Sequence, residues 1–145
     1  MKIWNKNIKT SNSSIDTFLS GEDIVLDQEL FLYDIEASIA HAEELKAINI
    51  LNVSEFKKMV SALKKLAKLF SMNKFKLTKK YEDCHSAIED FLIKELGDLG
   101  KKIHTGRSRN DQVLVAMRLY ARDHLQEIQA LNLKIAQAFL NKASK

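Results

Sequence analysis

The sequence contains no proline and only four glycines, Gly21, Gly97, Gly100 and Gly106. Because both residue types interrupt helices, their scarcity allows long helical segments. The composition is 46% hydrophobic and 29% charged, which is typical of globular chains and excludes a disordered one. We therefore expect an all-α protein, with enough chain in its 145 residues to bury a core.

Cysteine is also scarce, and Cys84 is the only one. A single cysteine excludes an internal disulfide and suits a reducing compartment, so we expect a cytoplasmic protein in which this thiol is buried. No apolar run approaches the length of a membrane span. The four histidines lack the spacing of a zinc motif and no G-x-S-x-G sequence occurs, so neither a metal site nor a serine hydrolase is expected.

The net charge of the chain is +4, and its positive charge is concentrated between Lys57 and Lys80, where nine lysines occur without an acidic residue. Such a stretch could contact nucleic acid. Aromatic residues for stacking are few there, however, and the apolar positions recur at three and four residues. A lysine-rich, solvated face of an amphipathic helix is therefore the favoured interpretation, and nucleic-acid binding is the weaker one.

Hydrophobic periodicity and capping signals predict four helices. The first covers residues 27–49, with Leu45 and Ile48 on its apolar face. The others run from Asn52 to the "SMNK" stretch, from Asp83 to Gly97, and from residue 108 onward. The segment "DLGKKI" is predicted to be a linker before the last helix.

The last helix carries a heptad seam, in which apolar positions alternate steps of three and four residues. The seam consists of Leu114, Met117, Ala121, His124, Ile128, Leu131, Ile135 and Ala138. A helix from residue 108 to the end of the sequence spans about 50 Å, which is longer than a compact domain of this size is wide. Its outer part therefore needs helices from more chain or from other subunits, although a coiled-coil dimer is an alternative.

The stretch "HTGRSRNDQV" places two arginines where the last helix begins. Helices prefer acidic residues there, yet Ser108 with Asp111 has the form of a capping box and Gly106 permits a tight turn. Arg107 and Arg109 beside unpaired backbone N–H groups would form an anion-binding site. The ordinary alternative is that both arginines face water or pair with nearby carboxylates.

Asp83 and His85 lie at another predicted helix start, upstream of the arginine motif. The two helix N-termini could converge on one ligand. From spacing alone, Asp83 is interpreted as a helix cap and His85 as a first-turn residue without a role.

The stretch "YEDCHSAIEDFLIKELGDLGKKIHTGRSRNDQV" resembles the argininosuccinate lyase family, a branch of the aspartase/fumarase superfamily. The resemblance extends more weakly through "LDQELFLYDIEASIAHAEEL". It implies an N-terminal helical domain over residues 1–107, followed at 108–145 by the beginning of the first long helix of a central bundle. It further implies a homotetramer whose active sites each combine three subunits.

The resemblance also implies an activity, the β-elimination of argininosuccinate to arginine and fumarate in arginine biosynthesis. The family uses no metal and no organic cofactor. Ser108, Arg109 and Asn110 match one stretch that contacts substrate, and Asp83 and His85 match a second.

Three departures from the family pattern limit what this chain is expected to do. The "T-H-x-Q-x-A-Q-P" and "G-S-S-x-M-P-x-K-x-N-P" regions, which supply the catalytic histidine and serine, do not occur up to Lys145. We therefore expect no catalytic acid or base in this chain, and no activity from it alone. The usual "W-G-G-R-F" reads "WNKNI" from Trp4, and a substrate-contacting serine aligns near Asp23, with Ser20 close by, so that contact is not assigned.

Two classes of function follow. The first is the N-terminal part of an argininosuccinate lyase. The second is a non-catalytic helical module, either a structural relative like the lens crystallins of this family or a basic nucleic-acid binder. Whether the reading frame continues past Lys145 into the two missing motifs would distinguish them.

Overall fold

The computed structural model describes residues 23–78 and 80–144, which fold into α-helices and one 3-10 turn, without a strand among them. The helices are α1 (Asp23–Ala47), α2 (Val53–Ser71), α3 (Cys84–Leu96), α4 (Asp98–Lys101) and α5 (Arg109–Ala143), with the 3-10 turn at Lys102–His104. The all-α prediction is confirmed for the described residues.

Three of these helices begin at the predicted caps, which are Asn52 for α2, Asp83 for α3 and Ser108 for α5. Each cap side chain accepts a hydrogen bond from the backbone N–H three residues later. At Asn52 and Ser108, the acidic residue at that later position accepts a bond from the N–H of the cap residue, which completes a capping box. The sequence signals were sufficient here because capping is a local interaction.

The core forms where α1 packs against α2 and α3. Phe31 of α1 is fully buried and contacts Phe70 of α2, with ring centroids 4.4 Å apart. Burying a side chain of this kind stabilises the fold by about 1.5–3 kcal/mol. The other fully buried large apolar side chains are Leu45, Leu51, Met59, Leu63, Leu66, Leu92 and Ile103.

The lysines of α2 lie on its solvent face. Met59, Ala62, Leu63 and Leu66 form the buried face of this helix. The exposed lysines are Lys57, Lys58, Lys64, Lys65 and Lys68. The prediction of a solvated face is confirmed for α2.

Two predictions near the helix ends were wrong. Helix α1 ends at Ala47, so Ile48 does not continue its apolar face and is 64% exposed. The "DLGKKI" segment is not an open linker, because it forms α4 and the start of the 3-10 turn. Gly100 allows this packing, since a Cβ at that position would lie 2.4 Å from the carbonyl carbon and oxygen of Leu92.

The turn into α5 depends on Gly106, as predicted. Its φ angle is +75°, in the left-handed region that glycine enters without steric cost. The turn places the Ser108 cap, and therefore the N-terminus of α5, beside the N-terminus of α3.

Helix α5 has one face that packs on α1 and another, apolar face that is exposed. Its first turns pack against α1 through Gln112 and Ala116, which are buried. At about 100° per residue, the heptad seam lies roughly 140° around the helix from these two residues. Along the outer part of α5, Leu131, Ile135 and Phe139 are exposed, Phe139 by 71%. The predicted lack of partners for this outer part is confirmed within the described residues.

Candidate functional site

The N-termini of α3 and α5 meet through Arg109. Its Nη1 atom donates to Asp83 Oδ2 at 2.8 Å and lies 2.8 Å from Glu82 Oε1. Its Nη2 atom donates to Ser86 Oγ at 3.1 Å. The two helix starts therefore lie side by side, with the guanidinium of Arg109 joining them.

Asp83 makes three interactions in this arrangement. It caps α3 by accepting from the Ser86 backbone N–H at 2.7 Å, it accepts from Ser86 Oγ at 2.6 Å, and it pairs with Arg109. The interpretation of Asp83 as a cap is confirmed. Because Glu82, Asp83 and Arg109 are all largely shielded from solvent, this pair is screened less than a surface salt bridge would be.

Ser108 and Asn110 flank this ion pair at the start of α5, and both are exposed. The Ser108 hydroxyl donates to Asp111 Oδ2 at 2.8 Å inside the capping box. The hydrogen bonds of Ser108 hold the pKa of Asp111 below its usual range. Asn110 makes no side-chain hydrogen bond to any described residue, so its amide is available at the surface.

His85 is the main difference between prediction and structure. It is 5% exposed, and its Nδ1 atom lies 2.6 Å from Asp34 Oδ2 of α1. Burial alone would lower the pKa of His85, but the bond to Asp34 and the charges of Asp34, Asp83 and Asp27 outweigh it and raise that pKa. The interpretation of His85 as a first-turn residue without a role was wrong, because this turn of α3 faces the core.

Asp34, Cys84 and His85 bring ligand-type atoms within 4.8 Å of one another, an arrangement that resembles a metal site. Two tetrahedral zinc ligands, however, lie about 3.3 Å apart at Zn–N and Zn–O distances of about 2.0 Å. The 2.6 Å separation of Asp34 and His85 is instead that of a hydrogen bond. Burial raises the pKa of the Cys84 thiol, which opposes the thiolate form that metals require. We interpret the group as a hydrogen-bonded cluster.

Arg107 lies apart from Arg109 and packs on α1. Its Nη2 atom donates to Ser38 Oγ at 3.1 Å, while its buried Nε–H has no partner among the described residues. Burial lowers the pKa of Arg107, against the charges of Asp34 and Glu89. Because the two arginines have separate partners, they do not form one shared anion site as the motif suggested.

A cavity of about 310 Å³ lies beside Arg107, between α1 and α5. Ala37, His41, Gln112 and Val115 contribute to its lining. His41 Nε2 lies 3.0 Å from the Thr105 carbonyl oxygen, and burial together with the charge of Arg107 lowers the pKa of His41. This cavity was not predicted, because it depends on how α5 crosses α1.

The contact that the sequence analysis left unassigned falls outside the described part of the chain. Trp4 and Ser20 precede residue 23, and Asp23 is the first residue of α1. The structure therefore does not test a substrate contact near Ser20 to Asp23. Among the described helices, none combines the length and the apolar character needed to cross a membrane.

Comparison with known proteins shows which family the chain resembles. A family model described as "Lyase" matches residues 5–145. The chain is 50% identical over 141 residues to an argininosuccinate lyase of Xanthomonas campestris pv. campestris (strain B100), covering 97% of this chain and 33% of that protein. Argininosuccinate lyases of Stenotrophomonas maltophilia (strain R551-3) and Xylella fastidiosa (strain Temecula1 / ATCC 700964) are 47% and 46% identical, with 97% and 98% of this chain covered. The coverage is 33% and 32% of those two proteins, so the chain spans about a third of the length of these relatives.

Proposed function

Because this chain belongs to the lyase family that matches its residues 5–145, we propose that it forms the N-terminal, substrate-binding part of an argininosuccinate lyase. The reaction is the β-elimination of argininosuccinate to arginine and fumarate, a step of arginine biosynthesis. The proposal is supported by relatives named argininosuccinate lyase that align with nearly the whole chain.

The observation that carries the proposal is the contact between Arg109 and Asp83. It joins the two stretches assigned to substrate binding, Asp83 with His85 and Ser108 with Arg109 and Asn110. Argininosuccinate carries several carboxylates and a guanidino group. The Arg109 guanidinium and the backbone N–H groups at the two helix starts can bind carboxylates. The carboxylate of Asp83 can bind the guanidino group.

In the elimination, a base removes a proton from the carbon next to a carboxylate, the C–N bond breaks, and an acid protonates the departing guanidino nitrogen. The electron pair of the broken C–H bond becomes the double bond of fumarate. This chain supplies groups that bind and orient the substrate and stabilise its developing charge. We assign the base and the acid to family segments that do not occur in residues 1–145.

We further propose that α5 is the first long helix of a homotetrameric bundle and that the domain boundary lies between residues 107 and 108. The exposed outer part of α5 supports this, because Leu131, Ile135 and Phe139 need covering helices. A cytoplasmic location is proposed from the single buried cysteine. We do not propose nucleic-acid binding, because the relatives that align with nearly the whole chain are named argininosuccinate lyase.

The test is a chimera in which this chain replaces the part of the Xanthomonas campestris argininosuccinate lyase that aligns with it over 141 residues. Fumarate release from argininosuccinate is followed by ultraviolet absorbance. We expect turnover by the chimera and none by the 145-residue chain. A folded chimera without turnover would contradict the proposal, and turnover by the chain alone would show that the acid and base were misplaced.

A further inference from the structure

We propose that Asp34 is a positioning residue for His85: its buried carboxylate fixes the imidazole ring through Nδ1 and holds it as a cation, so that Nε2–H serves as a donor to an anionic group. This inference rests on the proposed function only for the identity of that group, a carboxylate of the substrate. The relationship between the two side chains is independent of it.

The geometry of the pair is specific. Asp34 is fully buried in the middle of α1, and its Oδ2 atom lies 2.6 Å from His85 Nδ1, the short distance of a charge-assisted bond. Because Nδ1 is engaged, Nε2 is the only remaining polar atom of the ring. It makes no hydrogen bond to a described residue. Asp83, which pairs with Arg109, is one of the carboxylates whose charge acts on the ring, so the ring lies near the junction of α3 and α5.

Burial of the Asp34 carboxylate costs free energy of folding, because its second oxygen, Oδ1, has no partner among the described residues. Leucine or methionine at this position of α1 would fill the core without that cost. A buried charge that is only partly satisfied therefore favours a role beyond packing. The one imidazole that it orients is that of His85.

The charges around the ring mostly favour the cation. From α1, Asp27 and Asp34 face it, and Asp83 faces it from the cap of α3. Two cations lie near these carboxylates: the charge of Asp34 acts on Arg107, and Arg109 pairs with Asp83. Cys84 is neutral at ordinary pH, since burial raises the pKa of its thiol. Together the carboxylates raise the pKa of His85 above its ordinary value.

The direct test is an NMR titration of the His85 imidazole nitrogens in the 145-residue chain. We expect the wild-type ring to stay protonated above its ordinary range, with a low-field Nδ1 proton. Asparagine has the shape of aspartate, so we expect Asp34→Asn to fold. The proton affinity of His85 should then fall at least about tenfold, because the negative charge that opposes the effect of burial is lost. An unchanged titration in Asp34→Asn would overturn the inference.

The matched control is Asp27→Asn, the same substitution two turns earlier in α1. Asp27 binds the Cys84 backbone N–H and acts on His85 only through its charge. We expect a smaller fall in the proton affinity of His85 than for Asp34→Asn. An equal or larger fall would overturn the specific role of Asp34. If Asp34→Asn does not fold, the wild-type spectrum still decides, since a neutral ring without an Nδ1 proton would refute the proposal.

The second arm measures kcat/KM against pH in the chimera. With Asp34→Asn, we expect the alkaline limb of the profile to move to lower pH, whereas a merely structural defect would lower activity equally at every pH. A uniform loss would therefore contradict a positioning role. A wild-type chimera without activity would refute the proposed function, while the NMR titration would still decide the pairing of Asp34 and His85.

Discussion

The guanidinium of Arg109 lies 2.8 Å from Asp83 Oδ2, so a residue at the start of α5 is bound to the residue that caps α3. Arg109 thus pairs with a nearby carboxylate of its own chain, which was the ordinary alternative to an anion site. The two interpretations are compatible under the proposed function, because an arginine that holds Asp83 and Ser86 in place would also fix the groups proposed to bind substrate.

The first prediction is that Arg109→Lys lowers both activity and stability. Lysine keeps the charge but loses the planar fork that reaches Glu82, Asp83 and Ser86 together. In the chimera, kcat/KM should fall at least about tenfold. The free energy of unfolding, from urea titration, should fall by about 1–3 kcal/mol, because a largely shielded acid loses its partner.

Lys58→Ala is the control for this change, because Lys58 lies on the exposed face of α2. It should leave both quantities nearly unchanged. If Arg109→Lys kept full kcat/KM, Arg109 would have only a structural role and no role in the substrate site.

The second prediction concerns the pH dependence of stability. The folded pKa of His85 lies above its unfolded value of about 6.5. The stabilisation from this residue is therefore fully present below that pH and is lost as the pH rises through the folded pKa. Urea titrations between about pH 6 and about pH 9 should show a falling free energy of unfolding, and His85→Gln should flatten this fall. A slope that His85→Gln leaves unaltered would assign the pH dependence to other groups.

The third prediction is that Gly100→Ala destabilises the chain through the contact of α4 with α3. The new Cβ would lie 2.4 Å from the Leu92 carbonyl group, so the two backbones must separate. Overpacking of this kind costs about 1–3 kcal/mol. Thermal unfolding by circular dichroism measures it, with Ser61→Ala on the exposed face of α2 as the control. An unchanged melting temperature would mean that α4 does not pack closely on α3.

The fourth prediction is that the 145-residue chain associates with itself through the outer part of α5. Ile135→Lys places a charge on the exposed apolar face and should raise the concentration needed for association at least about tenfold, since burying one such side chain is worth about 1.5–3 kcal/mol. Light scattering measures the oligomeric state. Lys134→Ala is the control, because Lys134 points to a different side of α5. A monomer at high micromolar concentration with α5 intact would contradict this prediction.

Local signals in the sequence were enough for the helix starts and for the turn before α5. Each cap, at Asn52, Asp83 and Ser108, forms through a hydrogen bond from the backbone N–H three residues later. Residue type and spacing are therefore enough to predict the interaction. Gly106 likewise has the positive φ angle that its place in the motif required.

Contacts between distant segments were not predictable in the same way. Asp34 and His85 are 51 residues apart, and no spacing rule connects an aspartate in one helix with a histidine in another. An aspartate among apolar positions of α1 was the available signal, because buried acids need a partner. In α5, the apolar periodicity of the seam could not show that α1 covers a different face, the one that includes Gln112 and Ala116.

Asp83→Asn in the chimera, measured as kcat/KM for argininosuccinate, tests most directly whether the junction of α3 and α5 binds substrate. Asparagine caps helices about as well as aspartate, so α3 should still begin at this residue. Glu82 stays beside Arg109, so the free energy of unfolding should fall by no more than in Arg109→Lys. The negative charge shared with Arg109 is lost, however, and we expect kcat/KM to fall at least about tenfold. Full kcat/KM in a folded Asp83→Asn chimera would show that Asp83 is only a helix cap and that the junction of α3 and α5 is not the substrate site.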